Sequence, residues 1–354
     1  MSNPANTISL NEPYLIYFGD LRNKSYAKTG LGLIAWRPST CVGQFRLPGC
    51  EIDGGIPDLS IKEAVALGVK SLVIGVASQG GTIPEHWIKD LALAAAAGLD
   101  IVSGMHVRLN TFHAIAEAAK SSGARLVDVR TAPASLPVGT GERRPGRRLL
   151  TVGTDCAVGK KYTALAIERE MIRRGWKVDF RATGQTGIMI AGQGIAIDSV
   201  VADFLSGAAE AISPTAAPDH WDVIEGQGSL SHPSYAGVSL GLLHGSQPDA
   251  LVLCHEAGRQ TIIGTERTQP YPVPSLSETI ALNLKHARQT NPGARFVGVS
   301  VNCSGLDEPA RRDLLAQYSR ETGLPAMDPI LDGTSAILDK IEKDLNEASK
   351  ALMK

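Results

Sequence analysis

The 354-residue sequence lacks the features that mark membrane, secreted and nucleic-acid-binding proteins. No apolar run approaches the roughly 20 residues that a membrane-spanning helix needs. Residues 1–11 are polar, without a basic start followed by an apolar block, so we expect no secretory signal. The formal net charge of −1 gives no bulk attraction to nucleic acid or anionic lipid. These absences predict a cytoplasmic protein without nucleic-acid or membrane partners.

The sequence also lacks paired cysteines and clustered histidines. Its five cysteines form no Cys-x-x-Cys pair, and no two of its eight histidines lie four residues apart around a glutamate. An odd number of cysteines without metal-ligand spacing predicts reduced thiols. We therefore expect no structural or catalytic zinc and no metal cofactor.

What is present is typical of a globular protein, because apolar residues make up 43% and charged residues 20% of the chain. The length predicts two domains, each large enough to bury its own core. A segment rich in proline, glycine and arginine, residues 131–148, resembles a linker, and its arginines are expected on a solvated face. We predict domains over residues 1–145 and 146–354.

Apolar strand-like segments alternate with helix-forming segments in both halves. In the first half, residues 71–76 and 100–104 predict buried strands, and the alanine-rich residues 84–97 between them predict a helix. Strands separated by helices of this length form βαβ units. The sequence therefore predicts an α/β fold with two open parallel-sheet domains.

Two loops of the first half follow predicted strands, at residues 77–81 and 104–106. Ligands of open α/β sheets bind at the carboxyl ends of the strands. Both loops are candidate substrate walls, and simple connecting turns are an equally good interpretation. Neither contains the pattern Gly-x-Gly-x-x-Gly, so a nicotinamide cofactor has no support.

The second half opens with an apolar run, a glycine loop and a helix start, centred on the residues from Gly153 to Lys160. In this order of elements, backbone N–H groups converge on an anion and a lysine reaches its phosphates. The pattern predicts a phosphate-binding loop. Its candidate cofactor-binding residues are Gly153, Thr154, Asp155, Val158, Gly159, Lys160, Lys161 and Tyr162.

This loop departs from the usual nucleotide-binding pattern. Five residues, not four, separate Gly153 from Gly159, and Lys161 stands where a nucleoside triphosphatase has the hydroxyl that holds magnesium. Thr163 can replace that hydroxyl only if the helix begins unusually. A loop with two lysines suits a diphosphate, but it is poorly equipped to position a metal for phosphoryl transfer.

The loop Gly-Thr-Asp-x-x-Val-Gly-Lys is similar to that of dethiobiotin synthetase. Further strings are Ala182-Thr-Gly-Gln-Thr-Gly-Ile, Ile195-Ala-Ile-Asp-Ser-Val-Val-Ala-Asp, Ile224-Glu-Gly-Gln-Gly-Ser-Leu and Leu243-His-Gly-Ser-Gln-Pro-Asp. With them, nearly the whole sequence resembles a bacterial family first known as a domain of unknown function, some of whose members are D-glutamate N-acetyltransferases. The resemblance implies a Rossmann-like N-terminal domain and a P-loop NTPase-like C-terminal domain.

The resemblance also implies that acetyl-CoA is the co-substrate and that its acetyl group passes to the amino group of D-glutamate or a related D-amino acid. Coenzyme A is a polyanion that a two-lysine loop can hold without magnesium. The general base that removes the amine proton is expected to be Glu225, with Asp155 and His255 as alternatives. Glu225 is otherwise a cap for the amides of the turn that follows it.

Other candidate residues would bind the substrate. The backbone of Gly184, Gln185, Thr186 and Gly187 is suited to donate to a tetrahedral oxyanion. Arg259 or Arg181 could hold the substrate carboxylates, and either is equally well explained as a surface ion-pair partner.

A few residues have a second, structural interpretation. The helix start beside Cys156 would lower its pKa and allow an acyl-cysteine intermediate, but we favour a small residue that fills the turn. His232 is a proton relay or a loop anchor, and His244 is best explained by packing.

Two other functions stay open: an ATP- and magnesium-dependent ligase or kinase of the dethiobiotin synthetase type, and a non-catalytic regulator that binds CoA or a nucleotide. We expect a homo-oligomer, because open parallel sheets commonly pair.

Overall fold

The computed structural model describes residues 8–77, 81–265 and 269–352. Within these ranges, no helix is both long and apolar enough to cross a membrane. The strands, in chain order, are β1 (Ile8–Ser9), β2 (Tyr14–Gly19), β3 (Cys41–Arg46), β4 (Ser71–Ile74), β5 (Asp100–Ser103), β6 (Leu126–Asp128), β7 (Arg147–Gly153), β8 (Lys177–Arg181), β9 (Gln193–Gly194), β10 (His220–Ile224), β11 (Ala250–Glu256), β12 (Arg295–Asn302) and β13 (Ala326–Met327).

Helices connect most of these strands, as the alternation of the sequence predicts. They are α1 (Lys28–Trp36), α2 (Ile61–Ala66), α3 (Ile88–Ala96), α4 (His113–Ser122), α5 (Lys160–Arg173), α6 (Gln185–Ala191), α7 (Leu205–Ile212), α8 (Ala236–Ser246), α9 (Leu276–Thr290), α10 (Glu308–Thr322) and α11 (Ser335–Leu352).

The chain forms two compact units that alternate along the sequence. The first unit contains the described residues up to Pro133 together with Gly184–Ser199. The second contains Ala134–Thr183 and the described residues from Val200 onwards. The division into domains over residues 1–145 and 146–354 stays a prediction.

The first unit contains a five-stranded parallel sheet in the order β3-β2-β4-β5-β6. Residues 14–18 of β2, which lies between β3 and β4, are all almost completely buried. Burial on both faces is expected where helices cover both sides of a parallel sheet. The predicted strands over residues 71–76 and 100–104 are confirmed as β4 and β5.

The segment 184–199 joins the first unit through two contacts that the sequence did not predict. Strand β9 pairs antiparallel with β1, and helix α6 packs on α1. The hydroxyl oxygens of Thr29 and Thr186 lie 3.1 Å apart where these helices meet. This unit therefore contains residues from the second half of the sequence.

The second unit contains a six-stranded parallel sheet in the order β13-β12-β11-β7-β10-β8. Strand β7 lies between β11 and β10, and its last residue, Gly153, is aligned with Cys254 of β11. Since all strands are parallel, the residues that follow β7, β10 and β11 meet at one edge of the sheet. This edge carries the candidate site.

The arginines of residues 143–148 do not all lie on a solvated face. That expectation is wrong for Arg144 and Arg148, whereas the Arg143 side chain is 49% exposed. Arg148 is completely buried, and its guanidinium donates to the carbonyl groups of Arg144, Pro145 and Pro214. Arg144 donates to the carbonyl groups of Ser213 and Gly245. Backbone carbonyls that turn inward in a proline-rich segment need donors, and the arginines supply them.

Candidate functional site

The phosphate-binding loop lies between β7 and α5, in the strand, loop and helix order that the sequence predicts. Helix α5 begins at Lys160, and Gly159 before it has a left-handed conformation with φ of 104°. Ala157 also has a positive φ, of 57°. Two left-handed residues in one short loop turn the chain sharply, so that backbone N–H groups at the helix start can face an anion.

The Lys160 side chain lies in a narrow slot between two glycines. Its ammonium donates to the carbonyl of Asp155 at 2.7 Å. A Cβ atom at Gly153 would lie 3.0 Å from the ammonium nitrogen, and a Cβ atom at Gly226 would lie 3.1 Å from Cδ of the lysine. Burial lowers the pKa of Lys160, because water is excluded from its charge. Among the described residues, no carboxylate forms an ion pair with this ammonium.

The loop has no hydroxyl in the position that holds magnesium, because Lys161 occupies that position and Thr163 does not replace it. The Thr163 hydroxyl is buried against the sheet, where it donates to the Gly159 carbonyl at 3.0 Å and lies 2.8 Å from Ser300 Oγ. The ammonium of Lys161 lies 4.4 Å from the ring centroid of Tyr162. Helix α5 therefore begins in the ordinary way and does not bring Thr163 into the missing position.

Asp155 is completely buried, and both oxygens of its carboxylate accept hydrogen bonds. One accepts from the Cys156 N–H at 2.6 Å, and the other accepts from Arg259 Nη1 at 2.9 Å and from the Ile263 N–H at 2.8 Å. A carboxylate with these partners joins the phosphate-binding loop to the loop after β11.

Arg259 completes this connection. Its Nε donates to Glu256 at 2.6 Å, and its Nη1 also donates to the Cys156 carbonyl at 3.2 Å. Burial alone would lower the pKa of Arg259, but its hydrogen bonds to Asp155 and Glu256 outweigh that effect and raise it. Arg259 is therefore a charged residue at the loop, held between two carboxylates.

Glu225, at the end of β10, is 4% exposed and faces the end of β8. Its Oε2 accepts the Thr183 N–H at 3.0 Å, and the Thr183 hydroxyl donates to the Glu225 carbonyl at 2.6 Å. This bond differs from the expected alternative, in which Glu225 caps its own turn. The carboxylate is thus held in a fixed position one strand away from β7.

His255 lies on the other side of β7, near the end of β11. Its Nδ1 is 3.0 Å from the Thr154 hydroxyl, and its ring makes an edge contact with Tyr318. Burial and the nearby Arg259 lower the pKa of His255 below its ordinary 6.5. The imidazole is therefore neutral at pH 7 and able to accept a proton.

Arg181 is engaged by two carboxylates. Its Nε donates to Asp222 at 2.6 Å and its Nη2 to Asp179 at 2.9 Å. Both partners precede the ends of their strands, so the guanidinium points back along the sheet. This position gives Arg181 a structural explanation, and its role as a substrate ligand stays a prediction.

Among the described residues, two groups bring three potential metal ligands within 4.8 Å of one another. In one group, Asp179 and Asp222 already bind Arg181. The other group consists of Asp155, Cys156 and His232. Hydrogen bonds already engage the Asp155 carboxylate and both ring nitrogens of His232. In both groups, hydrogen bonds or ion pairs within the protein thus already engage some of the potential ligands.

Cys156 does not have the lowered pKa that its place beside a helix start suggested. Burial raises the pKa of its thiol, and this effect is larger than the opposing effect of Lys160. A thiol that resists ionisation is a poor nucleophile. The small-residue interpretation of Cys156 therefore fits better.

The four residues proposed for the oxyanion lie in the first unit. Gly184 precedes α6, and Gln185, Thr186 and Gly187 form its first turn. The buried Oε1 of Gln185 has no hydrogen-bond partner among the described residues and would lie 2.6 Å from a Cβ atom at Gly104. Their contribution to an oxyanion site stays a prediction.

The two loops proposed as substrate walls also belong to the first unit. In one, Gly104 lies under Gln185. In the other, Gly81 accepts the His106 N–H at 2.9 Å. Residues 78–80 of that loop lie outside the described residues.

Comparison with known proteins decides the family. Residues 136–338 match the DUF1611 P-loop domain, and residues 45–132 match the DUF1611 N-terminal Rossmann-like domain. The chain belongs to the DUF1611 family. The α/β fold with a Rossmann-like N-terminal part and a P-loop C-terminal part is thereby confirmed.

Relatives of known name and structure cover almost the whole DUF1611 chain. A protein of Pseudoalteromonas sp., named D-glutamate N-acetyltransferase, is 45% identical over 94% of this chain and 99% of its own. A protein of the same name from Tritonibacter scottomollicae is 45% identical with the same coverage. A DUF1611 family protein from Anabaena variabilis, known from a crystal structure, is 34% identical over 94% of this chain and 100% of its own, with a TM-score of 0.80.

Two residues that shape this DUF1611 site, Gly226 and Ser229, are not among the candidates predicted from the sequence. Ser229 donates to the Thr154 carbonyl at 3.1 Å and thereby supports the phosphate-binding loop. A Cβ atom at Gly226 would lie 1.6 Å from the Thr151 carbonyl oxygen, so only glycine fits there. The Glu-Gly-x-Gly string was the available signal for Gly226, but it does not say which atoms approach the glycine.

Proposed function

We propose that this protein transfers the acetyl group of acetyl-CoA to the amino group of D-glutamate. The observation that carries this proposal is the 45% identity, over 94% of the chain, to two proteins named D-glutamate N-acetyltransferase. Identity of this extent includes both units and not the phosphate-binding loop alone.

Acetyl-CoA is the proposed donor because its charge suits the loop. Lys160 is a buried ammonium held by a neutral carbonyl, so an entering phosphate gives it the anionic partner that it lacks. Lys161 adds a second positive charge at the same helix start. With a lysine in the place of the magnesium hydroxyl, the loop favours a diphosphate held by protein groups alone, and we propose that no metal takes part.

The reaction requires a base, since the amino group of a free amino acid is mostly protonated at pH 7. Glu225 is the proposed base, and it accepts the proton that leaves the ammonium. The amine nitrogen then bonds to the thioester carbon and the carbon–sulfur bond breaks. Coenzyme A leaves as a thiolate, which takes the second proton that the nitrogen gives up on becoming an amide. Neutral His255 is the alternative base, and Asp155 has the weaker claim because hydrogen bonds occupy both its oxygens.

Arg259 is the better proposed ligand for a substrate carboxylate. It lies at the phosphate-binding loop, and a substrate carboxylate can take the place of Glu256, whose side chain is 33% exposed. Arg181 would have to give up Asp222, which is 2% exposed. The backbone of residues 184–187 remains the proposed oxyanion donor.

The direct test is a thiol-release assay with acetyl-CoA and D-glutamate, in which the product is identified by NMR. We expect N-acetyl-D-glutamate and free coenzyme A in equal amounts, and L-glutamate is the matched control. Tight binding of coenzyme A without turnover on any D-amino acid would instead indicate a regulator. Calorimetry that detects ATP with magnesium but no acetyl-CoA binding would indicate a ligase or kinase.

Other features that follow from this activity are also proposals. We propose that the protein takes part in D-amino acid metabolism in the cytoplasm and forms a homo-oligomer. Sedimentation equilibrium measures the oligomeric state, and cell fractionation followed by the thiol-release assay locates the activity.

A further inference from the structure

Two exposed apolar side chains lie beside the phosphate-binding loop and have no part in the chemistry proposed above. Tyr235, the residue before α8, is 50% exposed, and Ile263, in the loop after β11, is 40% exposed. We call the surface formed by Tyr235 and Ile263 the apolar ledge. Exposed apolar side chains beside a few fixed polar groups are typical of ligand sites.

Buried His232 holds the two side chains of the apolar ledge in place. Its Nδ1 accepts the Ser234 N–H at 3.1 Å, so the proton is on Nε2, which donates to the Ile263 carbonyl at 3.1 Å. Its ring centroid lies 4.5 Å from that of Tyr235. Because His232 is only 3% exposed, these contacts fix the ledge before any ligand arrives.

The apolar ledge is attached directly to the phosphate-binding loop. The Ile263 N–H donates to the Asp155 carboxylate at 2.8 Å. On the Tyr235 side, Ser229 of the same connecting segment donates to the Thr154 carbonyl at 3.1 Å. When the phosphates of a ligand lie on the loop, a group attached to those phosphates can therefore contact the apolar ledge.

The position of Glu225 indicates which group that is. Tyr235 belongs to the segment that follows β10, and this segment begins at Glu225, the proposed base. A base must lie near the acyl group of the donor, so the arm that carries the thioester has to pass the segment after β10, where Tyr235 lies. This arm has a hydrocarbon and amide character that suits an aromatic and an aliphatic side chain.

We propose that the apolar ledge binds the pantetheine arm of the acyl-CoA donor. This inference rests on the proposed function, because it takes acetyl-CoA as the donor. It goes further by assigning Tyr235 and Ile263 to the arm and His232 to the positioning of both.

The test compares two ligands on matched variants. The ligands are acetyl-CoA and 3′-phospho-ADP, which is the same coenzyme without its arm, and the variants are Tyr235→Ala and Tyr235→Phe. We expect Tyr235→Ala to weaken acetyl-CoA binding roughly 5- to 30-fold in calorimetry, since an aromatic ring loses its buried contact. Binding of 3′-phospho-ADP should not change, and Tyr235→Phe should bind both ligands as the wild type does.

Each other outcome has a defined meaning. Unchanged acetyl-CoA affinity in Tyr235→Ala overturns the ledge but leaves the proposed donor intact. An equal loss for both ligands also overturns it, because Tyr235 would then act only through the loop. If the wild-type protein binds no acetyl-CoA, both the proposed donor and the proposed role of the ledge are overturned. Expected binding without acetylation of D-glutamate supports the ledge and overturns the activity.

Discussion

Lys160 combines two properties that oppose each other, a positive charge and a buried position. Burial penalises the charged form and lowers its pKa, so the lysine costs folding free energy that an arriving phosphate offsets. The slot exists because Gly153 and Gly226 have no side chains. Binding ability is thus retained at some cost in stability, as is common at functional sites.

Lys160→Met should therefore separate stability from binding. We expect Tm to stay the same or rise, because an apolar side chain of similar length replaces a buried charge. Affinity for acetyl-CoA should fall at least about 10-fold, which is the low end for a lost hydrogen bond to a charged group. Differential scanning calorimetry and isothermal titration measure the two effects, and Lys285→Ala, on the exposed surface of α9, is the control. Unchanged acetyl-CoA affinity would show that the loop does not hold the donor.

His255 predicts how stability depends on pH. Its pKa in the folded protein lies below the ordinary 6.5, so the unfolded chain binds the proton first as the pH falls. Its contribution to stability is present above pH 6.5, the ordinary pKa, and is lost as the pH falls towards the lower pKa that His255 has in the folded protein. One such proton changes the free energy of unfolding by at most about 1.4 kcal/mol per pH unit.

The expected result is a smaller loss of stability in His255→Gln than in the wild type. Urea unfolding from about pH 7.5 to about pH 5.5 measures both slopes over the range in which histidine titrates. Other groups titrate in both proteins alike, so the difference between the slopes belongs to residue 255. Identical slopes would mean that His255 titrates normally in the folded protein.

At the scale of the element, the site depends on how closely β10 approaches β7. The Gly226 N–H donates to Thr151 Oγ1 at 2.9 Å, and the Thr151 hydroxyl also contacts the Ile224 carbonyl at 3.4 Å. These bonds extend the pairing of the two strands beyond Ile224, where the regular register ends. They bring Glu225 to the edge beside Gly153.

Gly226→Ala should disrupt this approach. Its Cβ would lie 1.6 Å from a backbone oxygen, which cannot move without shifting β7. We expect a loss of at least about 2 kcal/mol in the free energy of unfolding, as for other overpacked sites. The control is Gly237→Ala in α8, where the added Cβ has no neighbour within 4 Å, and we expect a gain of about 0.4–1 kcal/mol there. Urea unfolding that finds both variants equally stable would contradict this account.

Some of the helices and strands could be predicted from the sequence, and some of their contacts could not. Hydrophobic runs and turn residues located β4, β5, β7 and the start of α5, because these signals are local and periodic. The same local approach assigned the arginines of residues 143–148 to the surface. Arg148 is instead buried, and its guanidinium donates to carbonyl groups up to 66 residues away in the chain, which the composition of the segment does not indicate.

At the scale of the whole molecule, the two units alternate along the chain. The segment Gly184–Ser199 lies within the residues that match the P-loop domain, yet it belongs to the first unit. Met189 of this segment is completely buried, and its Cε would lie 3.2 Å from a Cβ atom at Gly104. The first unit therefore depends on residues that come after the phosphate-binding loop.

Met189→Ala should destabilise the first unit, although it lies in the second half of the sequence. Removal of a buried methionine side chain costs about 2–5 kcal/mol. Hydrogen exchange followed by mass spectrometry should show faster exchange in β2, β4 and β5 than in β11 and β12. Met171→Ala in α5, equally buried in the second unit, is the matched control and should give the reverse pattern. The same pattern in both variants would show that the units do not unfold separately.

The sequence by itself determined the alternating α/β architecture, the position of the phosphate-binding loop, the replacement of the magnesium hydroxyl by Lys161 and the resemblance to the family. These depend on periodicity, on turn residues and on short strings, all of which are local. Only the tertiary structure decided that Asp155 accepts hydrogen bonds from two residues more than 100 positions away, Arg259 and Ile263. The same holds for the contacts of His232 with Tyr235 and Ile263. Such contacts arise when the ends of separate strands meet at one edge, and that meeting is a property of the folded sheet.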